Sequence, residues 1–302
     1  MATTREIKRR INSIKNTEKI TRAMKMVAAV KFRKAQEAIL AARPYARKID
    51  SMIKFLLSTI NEPENELLIE RDPKRIAMLV VTSDRGLCGS FNTNLIKYVQ
   101  NIINSKYLEF HRNHRLSIIA AGKKSYDFFS KREFDIYSKY IGVFDGLNYA
   151  SAKEIVRDAT EGYRLGKFDK IIAVYNEFKN VVQSKIIEEQ LLPIVKFSEK
   201  GVETPDRSDE RHYKPIFIYE PSTPEIIDYL LPKHLNTQIW RILLESNAAE
   251  QAARMTAMDS ATNNANELIS YLQLSYNKAR QAGITKEILE VVGGAEALKE
   301  AI

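Results

Sequence analysis

Apolar side chains in the first sixty residues fall at Ile7, Ile11 and Ile14, again at Ile20, Met24 and Val27, and later at Ala42, Ala46, Ile49, Ile53, Leu56 and Ile60. Steps of three and four keep such positions on one side of a helix, as in a coiled-coil seam. Thr3 and Glu6 have the spacing of a capping box at its start. Pro44 removes one helix hydrogen bond, so a kink is predicted there, with the helix continuing beyond it. At the other end a second ladder runs through Leu235, Ile239, Ile242, Ser246, Ala249, Ala253, Thr256 and Ser260. It then steps four and four through Asn264 to Leu268, and resumes at Leu272, Ser275, Ala279 and Ala282. That extra spacing reads as a stutter, which locally relaxes a supercoil. Ser222 and Glu225 supply this helix with a capping box of its own, with Pro224 in the first turn.

Two stripes of this length at opposite ends of one chain are predicted to pair. Seam residues as small as alanine and serine let two helix axes approach closely while burying little apolar area each. A helix of about 75 residues reaches on the order of 110 Å, longer than an α/β domain is wide. A rod carrying a globular domain suits mechanical linkage better than catalysis.

Between the stripes, apolar runs at 76–82, 116–121 and 170–175 suit buried strands, with a weaker one at 134–140. Helical patterns at 92–103 and 150–164 separate them, which predicts a partly parallel sheet with crossover helices. Residues 181–188 follow the preceding strand after a short polar turn and are expected to pair with it antiparallel, while 198–214 reads as a polar loop. The predicted fold class is α/β: a long antiparallel coiled coil of the terminal helices plus a Rossmann-like central domain with a mixed, mostly parallel sheet. Its segments are 1–60, 61–218 and 219–302.

Charge changes this picture more than composition does. The chain carries a net +9, yet residues 1–50 hold fourteen Lys and Arg against four acidic residues, so one helix owns the whole surplus. Such a helix fits an acidic protein surface, nucleic acid or an anionic membrane. Phe32 and Tyr45 are its only aromatic residues, which argues against nucleic acid, and the Ala-rich run from Ala23 to Ala42 lacks the large side chains of a membrane-surface helix. Glu6, Glu18 and Glu37 argue against an organelle transit peptide, and no apolar run is long enough to cross a bilayer. A lone cysteine, Cys88, makes no intramolecular disulfide and fits a reducing setting.

The strand-to-helix segment from Thr82 to Asn92 occupies the place where α/β proteins bind phosphate. Its glycines, Gly86 and Gly89, match neither the dinucleotide fingerprint nor the P-loop, so a tight turn presenting Arg85 and Cys88 to a partner is the preferred reading. His111 and His114 lie in a polar stretch with no carboxylates placed to complete a metal site; His212 and His234 stand alone. An independent nucleotide-binding enzyme and a coiled-coil adaptor for an acidic partner, nucleic acid or membrane remain as alternatives.

Longer motifs narrow the field. Ile14 to Ala29, Glu250 to Met258, Tyr276 to Gln281, the tail from Ile284 to Ala297, and Thr82 to Cys88 together resemble the gamma-subunit family of rotary F-type ATP synthases, in the family's order along the chain. The resemblance is weak between residues 105 and 215. It implies a central stalk with no catalytic, cofactor or metal site of its own. Its partners would be the alpha and beta subunits of a catalytic hexamer, epsilon and the c-ring, with no nucleic acid, and with membrane association through the complex only, on the cytoplasmic face of a bacterial inner membrane. It further implies a beta-subunit interface at Met24, Lys25, Arg85, Cys88, Glu250, Arg254, Arg280, Gln281 and Thr285. A stalk foot facing epsilon and the c-ring would lie at Tyr213, Phe217 and Tyr219. The apolar tail from Leu289 to Leu298 would suit a hydrophobic bearing. Chloroplast members carry a regulatory insertion with a cysteine pair, which a chain holding only Cys88 cannot form.

Overall fold

The computed structural model describes residues 4–59, 65–181, 183–194, 220 and 222–300. Helix α1 spans Thr4–Thr59 and runs on through Pro44. Then follow β1 (Ile76–Val81), α2 (Phe91–Lys106), α3 (Leu108–Arg112), β2 (Leu116–Ala121), α4 (Lys123–Phe129) and β3 (Asp135–Tyr140). The series ends with α5 (Tyr149–Arg164), β4 (Lys170–Phe178), β5 (Ser184–Leu192) and α6 (Thr223–Glu300). Every strand and long helix expected from the pattern is present; α3 and α4 are additions, too short to show a period.

The sheet has the order β3-β2-β1-β4-β5. β1 pairs parallel with β2 and β4, β2 pairs parallel with β3, and β5 returns antiparallel along β4. β1 and β2 are buried at all six positions, because a parallel sheet wrapped by crossover helices is covered on both faces. One face, with Met78, Val80, Ile118 and Val174, packs against Leu95, Val99 and Ile103 of α2 and Phe129 of α4. The other, with Leu79, Val81, Ala173 and Tyr175, meets Ile155 and Tyr163 of α5, Ile49, Ile53 and Leu56 of α1, and Leu231, Leu235 and Ile239 of α6. The helices thus contribute two buried layers to the core, and α1 and α6 belong to one of them.

By internal contacts the chain forms two compact units, Ala29–Ala253 and Met1–Ala28 with Arg254–Ile302. The first contains the sheet. There Phe32 and Ala35 of α1 share a buried cluster with Ala248 and Ala252 of α6. In the second, the hydroxyls of Thr21 and Thr262 meet at 2.8 Å and Lys25 pairs with Asp259. In each unit the residue number rises on one helix as it falls on the other, so α1 and α6 pair antiparallel.

Two details of the expected seam are corrected. Ile20 and Val27 are 60% and 56% exposed, and the buried positions beside them are Thr21 and Ala28. On α6, Thr256, Ser260, Asn264 and Leu268 face out, while Met258, Thr262, Ala265 and Leu272 are buried. Those buried positions are four, three and seven apart, so there is no stutter. Of the capping box expected on α6, the Ser222 side forms: its hydroxyl accepts from the Glu225 amide at 3.4 Å, while the Glu225 carboxylate accepts from that same hydroxyl at 2.9 Å where a full box would have it accept from the Ser222 amide.

Candidate functional site

The β1–α2 turn is built on side chains that replace backbone partners. Asn92, in the first turn of α2, accepts from the Ser83 amide at 3.0 Å and donates to the Ser83 hydroxyl at 2.7 Å, closing the loop on itself. Asp84 accepts from the amides of Lys123, Gly142 and Phe144 at 2.9, 2.8 and 3.1 Å, so one carboxylate ties together the C-terminal ends of β1, β2 and β3. Three backbone donors on one anion make a stiff knot. Arg85 lies outside it, 72% exposed, and pairs with Asp145 at 2.9 Å.

In a doubly wound sheet the crevice beyond the strand ends, where strand order reverses, is where ligands bind. Here the chain fills it from within. Cys88 is 1% exposed and clusters with Phe91 of α2 and Ala249 of α6. Phe178, at the end of β4, packs against that cluster and sets its ring edge-on to Phe32 of α1, with centroids 5.3 Å apart. Through these contacts Ala249 of α6 and Phe32 of α1 are seated on the strand ends. Ala249 therefore faces the domain, while Ala248 and Ala252 face α1.

The interface residues expected from sequence fall into distinct environments. In the unit holding the sheet, Arg85 is exposed, Cys88 is sealed inside the seat, and Glu250 is 4% exposed beside it on α6. In the other unit, Met24 and Arg254 are half-buried, Lys25 is engaged with Asp259, and Arg280, Gln281 and Thr285 are exposed. The Thr285 hydroxyl donates to the Gln281 carbonyl at 3.0 Å. From Arg280 to Ala295 every side chain is exposed, Ile284, Ile288, Leu289, Val291 and Val292 among them. Ile20, Met26, Val27 and Val30 form a comparable exposed apolar set along α1. Tyr213, Phe217, Tyr219 and the loop 198–214 lie outside the described residues, as does His212. His111 stacks on Phe134 at 4.4 Å, a packing role. Among the described residues no cluster of His, Cys, Asp and Glu is arranged for a metal, and no helix is long and apolar enough to cross a membrane.

Sequence reasoning missed Asp84, Asn92 and Phe178. Asp84 and Asn92 sit in a turn whose partners are 39 to 60 residues away for Asp84, and nothing periodic marks them. Phe178 extends a strand already recognised; its signal was an aromatic residue at the strand's C-terminal end.

Comparison with known proteins agrees with this geometry. The family model described as ATP synthase matches residues 3–298. An ATP synthase gamma chain from Chloroherpeton thalassium is 52% identical over 303 residues, covering 99% of both chains. One from Chlorobaculum parvum is 50% identical over 301 residues, covering 99% of this chain and all of the relative. Among solved structures, a chain of the Euglena gracilis mitochondrial ATP synthase, OSCP/F1/c-ring assembly, superposes with a TM-score of 0.69 at 19% identity, covering 98% of this chain and 94% of that one.

Proposed function

The chain belongs to the ATP synthase gamma-chain family, and from that premise we propose that it is the central-stalk rotor subunit of an F-type ATP synthase. In this reading the antiparallel α1–α6 pair occupies the cavity of an alpha–beta hexamer. The α/β domain stands on the c-ring beside epsilon, and ion-driven rotation of the ring turns the shaft. Nucleotide chemistry takes place on the partner subunits, and this chain is a non-catalytic subunit. It meets the membrane through the complex only, as a peripheral component on the cytoplasmic face of a bacterial inner membrane. The observation that carries the proposal is identity near one half with gamma chains over the entire length. The crevice filled by Cys88, Phe91 and Ala249 supports it, since that arrangement serves attachment of the helices in place of ligand binding.

The tail expected to act as a hydrophobic bearing runs from Leu289 to Leu298, and the exposure of Leu289, Val291 and Val292 supports that reading, since a folded protein normally covers such an apolar face. Met24, Arg254, Arg280, Gln281 and Thr285 are assigned the contact with beta, and so is Arg85 on its exposed turn; their partial or full exposure supports the assignment. Lys25 contributes through its pair with Asp259, which holds the cation in place. Cys88 and Glu250 lie beneath the surface and act by fixing the turn and the helix that carry the contacts. Tyr213, Phe217 and Tyr219 are assigned to the foot from the family resemblance alone.

Tagged chain expressed with alpha and beta is expected to co-purify with a hexamer that hydrolyses ATP, while the chain alone shows no turnover. Recovery of the chain without those subunits, bound instead to nucleic acid or lipid in a salt-sensitive manner, would favour the adaptor reading. Within the complex, Met24→Lys places a second cation beside Lys25 and is expected to lower ATP synthesis while leaving assembly intact. Unchanged coupling removes Met24 from the interface.

A further inference from the structure

A rotor must not slip between the part that is turned and the part that turns. Leu231, Leu235, Ile239, Ile242 and Leu243 of α6 are buried against the sheet. Apolar contact is non-directional: it resists separation of two surfaces more strongly than rolling of one over the other. A contact that resists rolling has to be directional and to sit away from the helix axis, at the end of a side chain.

Arg241 of α6 provides such a contact. Its Nη2 donates to both oxygens of Glu189 on β5, at 2.7 and 2.8 Å. Its Nη1 donates to the Tyr175 hydroxyl on β4 at 3.1 Å, and that hydroxyl donates to Glu189 at 2.9 Å. The three side chains close a ring across two strands and a helix. Gln238, almost one turn earlier on α6, donates to the same carboxylate at 2.8 Å. Burial pushes the Glu189 carboxyl up, but the Arg241 charge and the hydrogen bonds outweigh it and hold the group below the usual carboxylate range. Glu245, one turn later, approaches Arg241 at 3.6 Å and shares its charge. Charge-assisted bonds of this kind fix orientation as well as distance.

We propose that the ring of Arg241, Tyr175 and Glu189, braced by Gln238, is the torsional key of the chain, the contact that stops α6 from rolling on the sheet under load. These are positioning residues: they act through α6, which continues unbroken to Glu300. The key rests on the rotor reading above and adds to it a specific place where torque enters the helix.

The test uses the assembled synthase in sealed vesicles, comparing the wild-type chain with Arg241→Met, Glu189→Gln, Tyr175→Phe and the swap Arg241→Glu with Glu189→Arg, made together with Glu245→Gln so that the new carboxylate does not face Glu245. Gradient-driven ATP synthesis is expected to fall about fivefold in Arg241→Met and Glu189→Gln, while uncoupled ATP hydrolysis, which works against little load, stays within about twofold. Tyr175→Phe keeps the packing and opens the ring, and is expected to lie in between. The swap is expected to recover most of the synthesis rate. Equal losses of synthesis and hydrolysis, or a swap that recovers nothing, would make the cluster structural only and overturn the key. If Arg241→Met does not assemble, Glu189→Gln and Tyr175→Phe decide by the same ratio. Failure of the wild-type chain to join a hexamer overturns the rotor reading and the key with it, whereas a normal synthesis-to-hydrolysis ratio in all variants overturns the key alone.

Discussion

Gly122 lies between β2 and α4 with φ +97, and a Cβ there would lie 2.1 Å from the Thr82 carbonyl oxygen. Neither the dihedral nor the neighbour is open to an L side chain, since the obstacle is backbone just past the end of β1. Gly122→Ala is expected to destabilise the chain by ~2 kcal/mol or more, measured as a shift in the urea midpoint with unchanged slope. His234 is a second residue whose behaviour follows from its surroundings. It is buried on α6, and burial lowers its pKa from the ordinary 6.5 despite the opposing pull of Asp50 and Glu189, with Arg241 and Lys54 adding to the depression. A depressed histidine contributes stability that is present above 6.5 and lost as pH falls toward its folded pKa, because the unfolded chain binds the proton first. Glu189, also depressed, acts in the same direction below its ordinary 4.5, while Glu245, raised by burial, opposes both. The isolated chain is therefore expected to lose stability on acidification from pH 7, by at most about 1.4 kcal/mol per pH unit for each group. His234→Gln should flatten the limb just below 6.5, visible in midpoints measured at stepped pH; an unaltered limb would place its origin elsewhere.

The two long helices show how a seam is chosen. Counting sevens from Ile14 passes through Thr21, Ala28, Ala35, Ala42, Ile49 and Leu56, and of these only Ile14 and Ala42 keep partial exposure. Following the most apolar residue at each step leads instead to Ile20 and Val27, which point outward. The phase was legible in the sequence and hydrophobicity obscured it. Alanine and threonine occupy the seam because close approach of two backbones selects size ahead of apolarity. The Thr21–Thr262 contact and the Lys25–Asp259 pair add what small side chains lack, a polar match that fixes register. Two substitutions separate the alternatives. Val27→Gln should change stability by less than ~0.5 kcal/mol, and Ala28→Gln, which overpacks a position 1% exposed, should cost about 1–3 kcal/mol. Equal effects in thermal unfolding would show that the seam lies elsewhere. Ala249→Phe is likewise expected to disturb the seat at Cys88 and Phe91 and to leave the α1 contact of Ala248 and Ala252 in place, checked by reactivity of the Cys88 thiol, which should rise.

At the scale of the whole molecule, charge and connectivity set the behaviour. A surplus confined to the first fifty residues makes association with an acidic partner surface faster at low salt. Assembly of the chain with an alpha–beta hexamer is expected to slow as ionic strength rises from about 0.05 to 0.5 M while its dissociation rate changes little, a difference resolved by stopped-flow mixing. Both long helices contribute residues to both compact units, so neither unit is built from one stretch of chain. The sequence alone determined the elements: strands expected at 76–82, 116–121 and 170–175, the crossover helices, the Ser222 cap, the two terminal stripes and the motifs of the family; the capping box expected at Thr3 lies outside the described residues. These depend on neighbours within a turn or two, where spacing and side-chain type suffice. Tertiary structure alone decided which face each stripe turned inward, that Cys88 lies beneath Ala249 in place of a ligand, and that Glu189 and Arg241, 52 residues apart, close a ring with Tyr175. Those outcomes depend on partners brought together only by sheet order and helix packing, and a one-dimensional pattern holds no record of the distance between them.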